Sequence, residues 1–260
     1  MKLGLAGWSL QSHFRRDENP IALLDYPQLA RDEWGFEAVE LNNIFMASHD
    51  DSYVDELKSR AEKANVALWG MAVDGTGSLC DDDSSTRNAS IDNCVAYLKI
   101  GQRLGLDYMR FNSGGDVEPT ESQIENCIDS FRQLASHGEK LGVKVCIENH
   151  GGLSRFPDQI VAVMRGVDSP WCRTLPDWGN FPAEIRLEAL EKVMPFAVAC
   201  HAKFWNFDNG HDAQMPVGEI KQICERVGFD GRLAIEWEGD GDSAFSSLHK
   251  AKALLSQTFA

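Results

Sequence analysis

Eight times along this chain a short apolar run bounded by Gly, Asn, Asp or Pro gives way to an amphipathic segment of helical length, and no other feature restricts the fold as much. The runs predict strands at 3–6, 38–41, 67–73, 108–111, 144–147, 173–175, 197–200 and 233–235. The segments between them predict helices at 20–34, 53–63, 87–104, 121–141, 157–165, 183–193, 217–227 and 243–257. Strands separated by helices pair in parallel through right-handed crossovers. Eight such units in 260 residues, with no linker between them, predict an α/β fold: a single (β/α)8 TIM barrel over residues 1–260, eight parallel strands inside a ring of helices. An open doubly wound sheet is the alternative, but no GxGxxG follows the first strand to support its dinucleotide-binding form. Local signals agree. Thr120 and Gln123 have capping-box spacing, so a helix starts there. Gly105 and Gly142 stand where a helix stops and a strand begins. The acidic run Asp81–Asp82–Asp83 reads as a solvated loop.

Four predicted strands end in a group that can bind a cation. These are Glu148 in KVCIENHGG, Asp177 in RTLPDWGNF, His201 in AVACHAKFW and Glu236 in RLAIEWEGD. In a barrel, side chains at the C-terminal strand ends converge on one point. Singly, each is read more simply as a loop carboxylate or a core histidine. Together, on successive strands in the same relative position, they make a divalent-metal site. Buried carboxylates are costly to hold ionised, and several around one point raise one another's pKa. A divalent cation removes both costs. Oxygen-rich ligands with one imidazole suit Mn, Mg, Co or Zn.

Strand side chains alternate faces with a period of two. His150 therefore shares a face with Glu148, Lys203 with His201, and Glu238 with Glu236, which leaves open whether Glu236 or Glu238 serves on strand eight. Both His150 and Lys203 are candidates for substrate binding: Lys203 holds a substrate oxygen or pairs with an acid, and His150 shuttles a proton or orients Glu148. Arg110 and Asn112 share a face at the end of strand four and are candidates for binding hydroxyls, or form an ion pair within the barrel. Glu40 at the end of strand two and Trp8 after strand one are further candidates to line a substrate pocket. Trp69, Trp178 and Trp205 also lie near strand ends, where aromatic rings stack on a ligand or simply pack. His211, in the polar loop FDNGHDAQ, is read as part of a lid or as solvated.

Composition narrows the partners. Formal net charge is -15. Such a surface repels phosphate backbones and anionic membranes, so neither nucleic acid nor membrane is an expected partner. No apolar run approaches the ~20 residues that cross a bilayer. The seven cysteines are odd in number and include no CxxC pair. That argues against a disulfide framework and for a reducing, cytoplasmic setting. Asp240 and Asp242 stand in the loop after strand eight, where barrels of this kind bind phosphate. Their charge favours an unphosphorylated ligand.

The motifs FEAVELN, VCIENHGG, PDWGN, ACHAKF and FDGRLAIEWEG, spread over essentially the whole chain, resemble those of the xylose-isomerase-like TIM barrels (the AP endonuclease 2 family). The resemblance implies a single metal held by Glu148, Asp177, His201 and Glu236. It also implies that Glu148 and Glu236 act as an acid/base pair. The implied reaction is isomerisation or epimerisation of a sugar by proton abstraction α to a carbonyl, through a metal-stabilised enediolate. A metal-dependent lyase or dehydratase acting on an inosose or 3-keto-sugar would use the same groups. A non-catalytic sugar-binding barrel and an endonuclease IV-like nuclease are the remaining readings. Against the nuclease, residue 180 is Asn where a His is expected, and the end of strand four offers Asn112 instead of His. The resemblance also implies a small carbohydrate substrate and a homo-oligomer, dimer or tetramer.

Overall fold

The computed structural model describes residues 1–116, 118–207 and 210–259. Its strands are β1 (Lys2–Ala6), β2 (Ala38–Asn42), β3 (Ala67–Val73), β4 (Tyr108–Phe111), β5 (Lys144–Ile147), β6 (Cys172–Thr174), β7 (Ala199–Phe204) and β8 (Arg232–Trp237). Its helices are α1 (Gln11–Phe14), α2 (Tyr26–Trp34), α3 (Asp51–Lys63), α4 (Ser84–Leu104), α5 (Glu121–Leu141), α6 (Pro157–Val167), α7 (Arg186–Val193), α8 (Val217–Val227) and α9 (Ala244–Thr258). The strands form one parallel sheet in the order β6-β5-β4-β3-β2-β1-β8-β7. Isolated parallel bridges, Thr174 to Ala197 and Asp177 to His201, join its two ends. The sheet therefore curls into the expected (β/α)8 barrel.

Where the observed elements depart from expectation, the cause is local. The first predicted helix begins at Tyr26 and not at residue 20, because Pro27 is tolerated only in a first turn. The chain before it forms a short 3-10 turn at Leu23–Asp25. The turn Gly7–Leu10 and α1 were not expected. The Asp81–Asp83 run is more than a solvated loop. Asp83 caps α4, accepting from the amides of Ser85 and Thr86, and the helix starts at Ser84. The capping box of Thr120 and Gln123 forms as expected, and Gly105 and Gly142 end their helices in the left-handed conformation.

Strands β7 and β8 run further than the apolar pattern predicts. His201, Lys203 and Glu236 lie inside the strands, and the six-residue ladder pairs Lys203 with Glu236 directly. Opposite charges on adjacent strands neutralise each other, so polarity does not terminate the pairing.

Alternation divides each strand between two environments. Val39, Leu41, Met109, Phe111, Val145, Ile147, Cys200, Ala202, Leu233 and Ile235 face the helices in the main core. The lumen has two layers. Toward the N-terminal ends Ala38, Trp69, Tyr108, Cys146, Leu175 and Ala199 form a separate apolar plug. A bulge lets β3 turn Trp69 inward, since Val39 pairs with Leu68 but Glu40 with Gly70. Gly4 and Gly70 make room for the two large rings: a Cβ at either would stand 2.6 Å from Trp69 or 2.3 Å from Tyr108. Toward the C-terminal ends the lumen is polar, holding Glu40, Arg110, Glu148, Asp177, His201 and Glu236, all buried. Among the described residues no helix is long and apolar enough to cross a membrane. All seven cysteines are buried and unpaired.

Candidate metal centre

Each group in the upper lumen is placed by backbone that holds it. The β5–β6 ladder is only three residues long, and beyond it Asn149 continues the pairing with its side chain. Its amide donates to the Asp177 carbonyl at 2.9 Å and accepts from the Asp177 amide at 2.8 Å. Asp177 Oδ1 then takes the amides of Gly179 (2.7 Å) and Asn180 (2.9 Å), which turns Oδ2 toward the lumen. His201 is fixed from below, where its Nε2 lies 2.6 Å from Glu40 Oε1. Its Nδ1 consequently faces upward, 3.1 Å from Glu148 Oε1, 3.8 Å from Asp177 Oδ2 and 3.9 Å from Glu236 Oε2.

Two cations complete the cluster. Arg110 Nε stands 2.9 Å from Glu148 Oε2. Its Nη1 donates to Asp74 Oδ1 (2.7 Å) and to Asn112 Oδ1 (3.0 Å). Asn112 also donates to Asp74, at 2.8 Å. Lys203 Nζ lies 3.2 Å from Asp177 Oδ2, 3.1 Å from Glu236 Oε2, 3.1 Å from Glu238 Oε2 and 2.8 Å from Asn180 Oδ1. Trp8 donates from Nε1 to the other oxygen of Glu238 at 2.8 Å.

The donor set fits a divalent cation on three observations. Glu148, Asp177 and His201 each offer a ligand atom within 4.8 Å of the others. Two ligands ~2.1 Å from one metal stand about 3.0–3.4 Å apart, so the spacings around His201 Nδ1 need only a few tenths of an ångström of adjustment. Second, Glu148 Oε2, Asp177 Oδ2 and Glu236 Oε2 are buried without a hydrogen-bond partner, although cations lie nearby. Third, charge does not balance. The buried acids Glu40, Glu148, Asp177 and Glu236, with Asp74 and Glu238 at the rim, outnumber the buried cations paired with them, Arg110, His201 and Lys203.

The ionisation of these groups shows the same imbalance. Burial works to raise Glu148, but Arg110 and then His201 outweigh it and hold the carboxyl well below its usual range. Burial raises Asp177 well above the usual range, with Lys203 opposing and Glu236 and Glu148 adding to the rise. Glu236 is also pushed up by burial, yet Lys203 and His201 bring it below its ordinary value. For His201, burial lowers the pKa, and Glu40, Glu236 and Glu148 more than reverse this.

Other expected residues fall elsewhere. Glu40 lies beneath His201, 2% exposed, and does not line the pocket mouth. Arg110 is the buried ion-pair partner of Glu148 and Asp74, with its donors turned inward. His150 is exposed at the mouth, and Asn112 is partly exposed beside it. Trp69 is in the apolar plug, and Trp178 is fully buried. Neither ring is open to a sugar. Asp240 caps a surface turn, and Asp242 is 91% exposed beside Arg16, so neither guards the site against phosphate. His211 is exposed, while its neighbour Asp212 is buried and accepts from the amides of Trp205, Asn206 and Gln214. Sequence reasoning missed Asp74, Asn149 and Asn180. Asn149 and Asn180 stand inside the quoted motifs, and Asp74 directly follows β3, so strand-end position alone would have found it. A cavity of about 920 Å³ between α3 and α4, lined by His49, Tyr97 and Arg103, contains none of the clustered groups.

The chain thus forms a parallel eight-stranded barrel with a convergent acid–imidazole cluster, one that could hold a metal ion, at its C-terminal end. The chain matches the family model of the xylose isomerase-like TIM barrel over residues 28–257 and belongs to that family. Among solved structures it is similar to D-psicose 3-epimerase in the presence of D-fructose, with a TM-score of 0.79, 15% identity, and coverage of 100% of this chain and 99% of that one. It is similar to the IolI protein with a bound zinc atom, with a TM-score of 0.78, 15% identity, and coverage of 100% and 98%. It is also similar to a probable 3-DHS dehydratase from Bacillus anthracis, with a TM-score of 0.72, 16% identity, and coverage of 98% of each chain. No curated protein matches the chain in sequence.

Proposed function

We propose that this protein is a divalent-metal-dependent isomerase or epimerase of an unphosphorylated sugar or sugar derivative. The observation that carries the reading is the convergence of Glu148, Asp177, His201 and Glu236 around His201 Nδ1, with three of their oxygens buried and unpartnered. Glu236 is assigned over Glu238 because both oxygens of Glu238 are engaged, by Trp8 and Lys203, at the mouth. Similarity to an epimerase and to a zinc-bound barrel supports the class.

A divalent cation held by these four residues would stabilise negative charge developing on a substrate carbonyl oxygen. The chain's own groups supply the rest. Glu148, kept ionised by Arg110, accepts the proton α to the carbonyl, and Glu236 serves the opposite side of the substrate. Lys203 and Asn180 hold the neighbouring carboxylates in place. The substrate is neutral and hydroxyl-rich on this reading. The cations inside the cluster, Arg110 and Lys203, are each already paired with acids, which leaves neither free for a phosphate.

Incubation with ketoses in D2O and Mn tests the assignment. Solvent deuterium on carbon is the expected result. Failure of every sugar tested, together with no bound divalent metal, would overturn it. A lyase reading has one specific observation in its favour. His150 is exposed at the mouth, two residues beyond Glu148, on the side from which a departing hydroxyl would leave. Loss of water from an inosose or 3-keto-sugar in the same incubation would select it.

A further inference from the structure

Lys203, which strand parity puts on the face of His201, is a cation lodged among the expected metal ligands. A lysine 3% exposed, with its ammonium 2.8–3.2 Å from four oxygens, stands within the very set of carboxylates that would hold a divalent cation. Two of its partners, Asp177 Oδ2 and Glu236 Oε2, are the unpartnered oxygens that face His201 Nδ1. Lys203 neutralises them by proximity without meeting them in hydrogen-bonding geometry. Its direction is set by Asn180, whose amide oxygen it does meet at 2.8 Å, and by Glu238, which Trp8 anchors from the other side. Strand pairing fixes its height as well, since β7 and β8 place Lys203 directly beside Glu236.

We propose that Lys203 is a built-in counter-cation that competes with the divalent metal for Asp177 and Glu236, holding the ligand set together when no metal is bound and limiting how tightly metal binds. The proposal rests on the metal reading above. Without Lys203 the acids that surround it have no cation of their own except His201, and repulsion pushes them apart. With it, an entering metal meets a site that is already assembled but must share two ligands with an ammonium ion. The consequence is a site that exchanges its metal instead of trapping it. Glu238 is part of the device as the anchor that draws Lys203 toward the mouth. Removing that anchor leaves the ammonium charge less compensated beside the metal.

The test compares wild type, Lys203→Met, Lys203→Arg and Glu238→Gln, each stripped with a chelator. Thermal unfolding of the stripped proteins and the Kd for Mn and Zn by competition with a chromophoric chelator are the readouts. Methionine keeps the length of the buried stem and removes the charge. Lys203→Met is expected to lower the Tm of the stripped protein by several degrees and to tighten metal binding by on the order of tenfold or more, because a unit charge a few ångströms from a bound cation repels it by more than RT even at high effective dielectric. Glu238→Gln keeps the fold and is expected to weaken metal binding by a few-fold, the opposite sign. Lys203→Arg is expected to stay near wild type in affinity. If wild type binds metal and Lys203→Met binds it equally or more weakly, the proposal is overturned and the metal reading stands. Should Lys203→Met not fold, unchanged or tighter binding by Glu238→Gln overturns it alone. If neither wild type nor the variants bind any divalent ion, both readings fall.

Discussion

The two layers of the barrel lumen are built by the same eight strands and follow opposite rules. The lower layer is an apolar plug of Trp69, Tyr108, Cys146, Leu175 and small residues, with Gly4 and Gly70 opened to admit the rings. Its job is packing. The upper layer, one or two residues further along each strand, holds seven buried ionisable groups, with Asp74 and Glu238 at its rim. No packing argument explains that concentration, because each buried ion costs several kcal/mol of desolvation unless neighbours repay it. Moving a few ångströms along one barrel therefore separates what makes the protein stable from what it is built to do.

The largest expected effects come from the upper layer and bear on activity. Glu148→Gln and Glu236→Gln should each lower turnover by about 10²–10⁴-fold with the fold intact by circular dichroism. Full activity in Glu236→Gln with loss in Glu238→Gln would show that the wrong glutamate of β8 has been assigned. Arg110→Met should cost about 3–5 kcal/mol in denaturant unfolding, because it leaves Glu148 buried without its cation. The same variant should change the acid limb. The folded-state pKa of Glu148 lies below its ordinary value of 4.5, so its ionisation stabilises the wild type above that pH, and the contribution is lost as pH falls toward the folded value. That loss should be smaller in Arg110→Met.

Trp69→Ala tests the plug from the other side. It should destabilise the protein by about 3–5 kcal/mol through the cavity it leaves, while metal affinity measured below the unfolding transition stays within a few-fold of wild type. Collapse of metal binding in this variant would mean that the two layers are not separable. A gentler probe is pH. His201 and Asp177 both have raised pKa values, and both must give up protons to serve as ligands. Metal affinity by calorimetry should therefore rise with pH across the neutral range, with proton release on binding. The smallest effect is expected from Tyr108→Phe. Its hydroxyl is buried beside Glu40 with no hydrogen bond of good geometry, so removal should change stability by less than about 1 kcal/mol in denaturant unfolding.

Much of this was legible in the chain. The alternation of apolar runs with amphipathic segments defined the barrel, because burial of one strand face and one helix stripe leaves a local, periodic trace. Strand-end position selected Glu148, Asp177, His201 and Glu236, because topology alone sends those ends to one place. The β7 and β8 boundaries were misread where Lys203 and Glu236 interrupt the apolar pattern, since a neutralising cross-strand pair is invisible without the partner strand. Glu40 was seen but misplaced, because parity gives the face of a strand and not the height at which its side chain meets a neighbour.

Sequence by itself determined the elements, their order and the chemical types that converge, all of which depend on residue identity at fixed spacing. Only the tertiary structure decided the pairings. It set Glu40 beneath His201, Arg110 against Glu148 and Lys203 among four oxygens, contacts between residues as many as 161 positions apart. Such contacts are governed by barrel closure and strand stagger, and these belong to the whole sheet and not to any segment of the chain.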